Sequence, residues 1–372
     1  MKAVLPRQDL QDVLQAAVSV AGGRTTKPIL SCVKLDAAGE AVECHATDGE
    51  VALRLSIPAL TLEQPGAAVV PAERLLSIVR EMPDVEVAIA IDDRHCSIKG
   101  QGSAFRIFVQ NPADFPPVPR FEDEPDLVID GALVRRMIAQ TLFAAARETS
   151  RYAINGVLWE KSGKRLFLVA TDGRRLSRAG GRVRSAPAGD FRAIIPSKAL
   201  SVFERVFHAA RSDDDWTVDV KLLPNQALLR SGDRLLATVL VEGHFPKYED
   251  VIPKSSNKTA HVAREELAGA VRRAALLTTE ESRAVKLAFE DQRLVITSQS
   301  AEHGDARVEA AIRYEGEPIE IGFNPAFLVD ALRSVSLDEV RIELSEPLRP
   351  GIVCGEDKND FLYVIMPVSL AQ

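Results

Sequence analysis

The run Leu166-Phe-Leu-Val-Ala-Thr-Asp-Gly-Arg-Arg-Leu176 reads as an extended segment that breaks at an Asp-Gly turn. Glycine supplies the positive φ that such a turn needs, and aspartate accepts nearby backbone N–H groups. The same three letters, Thr47-Asp48-Gly49, end a weaker run from Glu43, 124 positions upstream. A turn repeated at that distance predicts a repeated domain.

Three segments align around it. Each opens with a short extended run: Lys2-Ala-Val-Leu5, Asp126-Leu-Val-Ile129 and Thr259-Ala-His-Val262. A helix follows, Gln8 to Val20, Ala132 to Ala146 and Glu265 to Leu277, with apolar residues at 3.6 spacing such as Leu10, Val13, Leu14 and Val18. Alternating strands come next: 29–35 and 51–57, then 154–160 and 166–170, then 285–289 and 294–297. A second helix is announced each time by proline, at Pro71, Pro196 and Pro325, spaced by 125 and 129 residues. Proline suits the first helical turn, where its missing N–H has no partner to lose.

The first two segments end alike, in Asp114-Phe-Pro-Pro117 and His244-Phe-Pro-Lys247. The proline-rich stretches 116–125 and 246–253 read as linkers. The expected architecture is α+β: three tandem copies of one unit, at 1–122, 127–250 and 253–372.

The 372 residues hold no run of 18 apolar residues, so no transmembrane helix is expected. The charged start Met1-Lys-Ala-Val-Leu-Pro-Arg argues against a signal peptide, which places the chain in the cytoplasm. Cys32, Cys44, Cys96 and Cys354 form no CxxC pair and read as reduced thiols, mostly buried.

Catalytic signatures are hard to find. There is no GxxxxGK[ST] loop, and Gly100-Gln-Gly102 sits in strand-rich sequence without a following helix. The six histidines are scattered without zinc-ligand spacing, so neither metal nor cofactor is expected. Asp48 and Asp172 each precede a glycine after a strand, which leaves open a hydrolase using both. The third segment has Ser298-Gln-Ser300 at that place, so no carboxylate triplet exists.

The formal net charge of −7 argues against nucleic acid until its distribution is considered. The six proposed helices, 7–24, 71–81, 131–147, 197–211, 264–277 and 325–335, carry +6 together, leaving −13 for the rest. Helices gathered on one surface would attract phosphates there while the remainder repelled them. Arg135, Arg136, Arg147, Lys198, Arg205, Arg211, Arg272 and Arg273 would then contact a backbone without reading bases.

Ala170-Thr-Asp-Gly-Arg-Arg-Leu176, Arg151-Tyr-Ala-Ile-Asn-Gly156, Phe245-Pro-Lys-Tyr248 and Tyr363-Val-Ile-Met-Pro-Val368, set on three tandem domains, resemble the bacterial DNA polymerase III beta subunits, the sliding clamps. Gly22-Gly-Arg-Thr-Thr-Lys-Pro-Ile-Leu30 and Arg283-Ala-Val-Lys-Leu287 fit the same family. The resemblance implies clamp domains with helices on one face of antiparallel sheets, closing into a ring as a head-to-tail homodimer around duplex DNA. It implies a non-catalytic processivity factor. Its partners would be the polymerase III catalytic subunit, an ATP-driven clamp loader, and other polymerases and repair proteins that dock through short peptides rich in Gln, Leu and Phe.

Carried over by residue, Arg24, Arg151, Tyr152 and Lys198 would touch DNA. The peptide cleft would comprise Thr171, Gly173, Arg174, Arg175 and Leu176, with Pro246, Val251, Val364, Met366 and Pro367. The dimer interface would include Arg74, Phe105, Leu276 and Leu277. Ala153 stands where the family often has a second aromatic, Asp250 where it often has a basic residue, and Ala371-Gln372 extend the usual end. A scaffold that never meets DNA is the third class left open by the residues alone.

Overall fold

The computed structural model describes residues 1–22, 25–146, 153–207, 215–278, 284–300 and 302–370. They divide into two compact units, and the division runs through the middle segment rather than between segments.

One unit holds residues 1–132, 184–188 and 198–240. Its five-stranded antiparallel sheet runs, in spatial order, Thr61–Gln64, Lys2–Pro6, Glu86–Ile91, His95–Gly100, Ser103–Phe108. Its eight-stranded sheet runs Leu127–Asp130, Thr217–Leu222, Gln226–Ser231, Arg234–Val239, Val51–Pro58, Ala41–Thr47, Cys32–Ala38, Gly66–Pro71. Four of those strands come from the middle segment. The seam is the antiparallel pair Val51–Pro58 with Arg234–Val239, in register Val51 to Thr238. Helices α1 (Arg7–Ala21) and α2 (Ala72–Glu81) pack together here. Leu10, Val13, Leu14, Ala17 and Val20 of α1 are all buried, as a 3.6-residue stripe requires.

The other unit holds 133–183, 189–197 and 241–372. Its nine-stranded sheet runs Phe191–Pro196, Gly156–Ser162, Arg165–Thr171, Arg175–Arg182, Phe361–Ile365, Gly351–Cys354, Glu339–Leu344, Lys258–Ala263, Arg313–Glu315. The seam here pairs Arg175–Arg182 with Phe361–Ile365, in register Arg175 to Ile365. A four-stranded sheet runs Gly304–Ala311, Arg293–Ser300, Val285–Glu290, Ile319–Phe323. Most of α3 (Gly131–Thr141) belongs to this unit, and most of α4 (Ser197–Phe207) to the first. Helices α5 (Arg264–Ala274) and α6 (Pro325–Ser334) bury Leu267, Val271, Leu328 and Leu332 over a core centred on Phe289, Phe323 and Tyr363.

Some local expectations shift. The strand expected at 29–35 begins only at Cys32, because Pro28 opens a 3-10 turn over Pro28–Ser31. Pro71 and Pro196 are the last residues of strands, each immediately before its helix; only Pro325 is the first helical residue, behind an Asn324 cap. Helix α3 ends at Thr141, where a 3-10 turn over Leu142–Ala144 replaces its expected last turns; helix α4 is described to Phe207, and the rest of its expected span to 211 lies outside the described residues. The stretch 246–253 is more than a linker: it contains a 3-10 turn, Tyr248–Val251, whose Tyr248 is buried. All four cysteines are free and buried, and burial pushes the Cys44 thiol up to about 12.

Candidate functional site

The two Thr-Asp-Gly turns share one backbone design. In the first, Thr47 Oγ1 accepts the Gly49 N–H at 3.1 Å and donates to the Val51 carbonyl at 3.0 Å. Asp48 Oδ1 accepts the N–H groups of Glu50 and Val51, both at 2.9 Å. In the second, Thr171 Oγ1 accepts from Gly173 at 3.1 Å and donates to the Arg175 carbonyl at 2.7 Å. Asp172 Oδ1 accepts from Arg174 and Arg175 at 3.0 and 3.1 Å. Gly49 and Gly173 have φ of +97° and +85°, the left-handed region that favours glycine.

The second carboxylate oxygen separates them. Asp48 Oδ2 lies 2.6 Å from Lys198 Nζ, which also lies 3.6 Å from Glu50. Burial alone would raise the Asp48 carboxyl, but the Lys198 hydrogen bond and the turn N–H groups outweigh it and hold it below the ordinary aspartate value. Burial likewise works against the Lys198 ammonium, yet Asp48 keeps it above the usual lysine value. Asp172 Oδ2 accepts from Arg175 Nε at 3.0 Å instead. The same guanidinium donates to Asp330 and to the Phe143 carbonyl, both at 2.8 Å, and sits 4.4 Å from the Phe327 ring centre. Among the described residues, each carboxylate serves its own turn and one cation.

Beside the second turn opens a cavity of about 190 Å³. Leu176, Val364 and Tyr248, 2%, 1% and 4% exposed, form its deep part, while Val251 and Met366, 46% and 41% exposed, form its lip. Thr171, Gly173, Arg175 and Pro246 complete the expected lining. Arg174 and Pro367 do not line it; Arg174 is exposed, and its carbonyl accepts the Met366 N–H at 3.0 Å, tying that lip to the turn. Asp250 is also exposed and outside the lining, and Ala153 is buried beneath it.

Ile154, Lys247 and Tyr248 line the cavity without having been anticipated. The signal available for Tyr248 was an aromatic ring in a proline-rich run. Its hydroxyl donates to Glu160 at 2.6 Å, and its ring meets Phe245 edge-on, which fixes the turn presenting Val251. Burial and the Glu160 carboxylate both push the Tyr248 hydroxyl up, so it stays protonated and donating. An apolar hollow with a few polar groups at its edge suits a leucine- or phenylalanine-sized side chain.

Of the residues expected to contact phosphates, only some are described. Arg24, Arg151 and Tyr152 lie outside the described residues, as do Arg147, Arg211, Ala371 and Gln372. Lys198 is described and is already paired, as above. Arg135 and Arg136 are exposed on α3, and Arg272 and Arg273 on α5. Of the expected interface residues, Arg74 is exposed on α2 and Phe105 is 39% exposed on the terminal strand Ser103–Phe108. Leu276 is 77% exposed in a 3-10 turn after α5, and Leu277 beside it is half-buried. Among the described residues no group of three or more His, Cys, Asp or Glu side chains could hold a metal ion. No helix among them is long and apolar enough to cross a membrane.

Family models of the DNA polymerase III beta subunit match in chain order: the N-terminal domain over residues 1–119, the central domain over 128–247 and the C-terminal domain over 249–369. The chain is 31% identical to the beta sliding clamp of Pseudomonas aeruginosa and 30% identical to that of Escherichia coli K12, in each case over all of both chains. A DNA polymerase sliding clamp of Bacillus subtilis superimposes with a TM-score of 0.94 at 26% identity, again over all of both chains. A Pseudomonas aeruginosa clamp solved bound to griselimycin gives 0.93 at 30% identity over all of both chains.

Proposed function

The chain belongs to the DNA polymerase III beta subunit family, and from that premise we propose how its residues carry out the work of a clamp. It is a DNA sliding clamp built of three clamp domains: a processivity factor that encircles duplex DNA without sequence preference and serves the polymerase as an accessory subunit.

One observation carries the ring. In each unit, the strand after a Thr-Asp-Gly turn pairs with the closing strand of the following segment: Val51–Pro58 with Arg234–Val239, and Arg175–Arg182 with Phe361–Ile365. The third repeat of this pairing would join Gly304–Ala311 to Ser103–Phe108. Both of those are terminal strands of their sheets. A second copy of the chain offers the complementary edge to each, a head-to-tail contact that closes after two copies. Covering those edges also removes exposed strand templates. Arg74, Phe105, Leu276 and Leu277 would flank the joint, with Leu276 and Phe105 losing their exposed apolar surface.

Inside such a ring, Arg24, Arg151, Tyr152 and Lys198 would meet phosphates. The pairing of Lys198 with Asp48 and Glu50 weakens that contact by competition, which suits sliding, since topology rather than affinity does the holding. The pocket at the second turn would receive a Leu or Phe anchor of short linear peptides. Those would come from the polymerase III catalytic subunit, an ATP-driven clamp loader, and other polymerases and repair proteins. The protein would work in the cytoplasm without a catalytic centre or cofactor of its own.

Loading onto nicked circular DNA, followed by linearisation, tests this. The loaded protein should run as a dimer of 40.5 kDa chains, stay on the circle and leave the linear ends. A monomer at micromolar concentration, retained equally on both DNAs, would overturn it.

A further inference from the structure

Strand Ile319–Phe323 ends its four-stranded sheet, and the chain's last described residues lie against its open side. The Val368 N–H bonds the Gly322 carbonyl at 2.9 Å. Gly322 does not have the positive φ that demands glycine. Its requirement is space: a Cβ there would stand 2.6 Å from the Val368 carbonyl oxygen and 2.8 Å from Leu370 Cδ2. Backbone at 2.6 Å cannot yield without the whole segment moving.

That segment starts at Met366, the lip of the pocket, which is held at its other side by the Arg174 carbonyl. Residues 366–370 thus form a strap between the second-turn wall and the edge of Ile319–Phe323. The same strand runs straight into Asn324, the cap of α6, and α6 supplies Asp330 and Phe327 to Arg175. Both sides of the pocket therefore trace back to this one strand.

We propose that Gly322 is a positioning residue for the pocket: its missing side chain seats the C-terminal strap, and that seat sets where Met366 stands. The proposal rests on the pocket being the peptide site. A side chain at 322 that displaced the strap would leave the lip without its Val368–Gly322 anchor, tied at Arg174 and able to swing over the cavity mouth. Bulk at 322 should act on binding through Met366, not through the cavity's own wall.

The test measures affinity of the full-length dimer for a fluorescent pentapeptide built of Gln, Leu and Phe, in Gly322→Ala, Leu370→Ala, Met366→Ala and the double variant Gly322→Ala/Met366→Ala. Gly322→Ala should weaken binding roughly ten-fold, and Leu370→Ala, which loosens the seat from the strap's side without risk to the strand, roughly three-fold. In the Met366→Ala background the Gly322→Ala effect should shrink to less than about two-fold, a non-additivity that general destabilisation would not produce. Wild-type affinity in both Gly322→Ala and Leu370→Ala, with Met366→Ala still impaired, would overturn the strap. Fully additive losses would overturn it too. Unchanged binding in Met366→Ala would instead remove the peptide reading on which the strap depends.

Discussion

The turns at Thr47–Gly49 and Thr171–Gly173 are the same piece of backbone in two settings. Threonine and aspartate make matching hydrogen bonds in both, and both are followed by a strand that pairs with the closing strand of the next segment. What differs is the cation on the spare carboxylate oxygen. At the first turn it is Lys198, with a side chain 53% exposed and a single strong partner. At the second it is Arg175, 11% exposed, held by two carboxylates, a carbonyl and an aromatic face. A planar guanidinium can satisfy that many partners at once, whereas an ammonium on a flexible stem is a point charge that salt or phosphate can draw off. Repetition therefore supplied the turn, and the side chain after the turn decided whether a wall of a pocket or a loosely held surface charge grew beside it.

Arginine 175 gives the largest test of that contrast. Arg175→Ala should cost about 3 kcal/mol in denaturant unfolding, because Asp172, Asp330 and the Phe143 carbonyl lose their shared cation at once. Lys198→Ala should cost less than about 1 kcal/mol, as exposed pairs do, while lowering retention on DNA in a salt-dependent way. Equal losses of stability in the two variants would break the comparison.

A smaller effect is expected one layer behind the pocket. Tyr248→Phe removes the bond to Glu160 and should cost about 1 kcal/mol of stability. It should also weaken peptide binding by roughly five-fold, through a loosened Val251. Loss of stability with unaltered binding would mean that the Tyr248–Val251 turn does not shape the site.

The smallest effect concerns acid. Asp48 has its folded-state value depressed, so the stability it contributes is present above the ordinary aspartate value near 3.8 and is lost as pH falls through its folded value. Asp48→Asn should therefore lower stability slightly at neutral pH and flatten the acid limb below about pH 4, so that the two unfolding curves converge in acid. An acid limb identical to that of the unsubstituted protein would show that Lys198 does not hold this carboxylate in solution.

Much of this was legible from residue pattern. Alternation and the Asp-Gly pair identify the turns, 3.6-residue spacing the first helices, and the 125- and 129-residue intervals the threefold repeat. The division of the middle segment between two sheets was not legible, because strand-to-strand seams such as Arg175 with Ile365 join residues 190 positions apart and leave no local mark. The same limit explains the cavity. Its second-turn wall could be named in advance, whereas Tyr248 and Ile154 enter it by folding over from stretches that look like linker and strand entry. Lys198 shows the same limit from the other side: its charge is visible in the sequence, but its Asp48 partner sits 150 positions away.

The most direct measurement is calorimetric titration of the dimer with the same Gln-, Leu- and Phe-containing peptide, comparing Val251→Asp with Lys198→Ala. Val251 is on the surface, so its replacement leaves the core intact. The account predicts one site per protomer, weakened at least about ten-fold by a carboxylate at 251 that the bound peptide would have to bury, and unaffected by the loss of Lys198 at the first turn. Full-strength binding to Val251→Asp, or equal weakening in both variants, would contradict it.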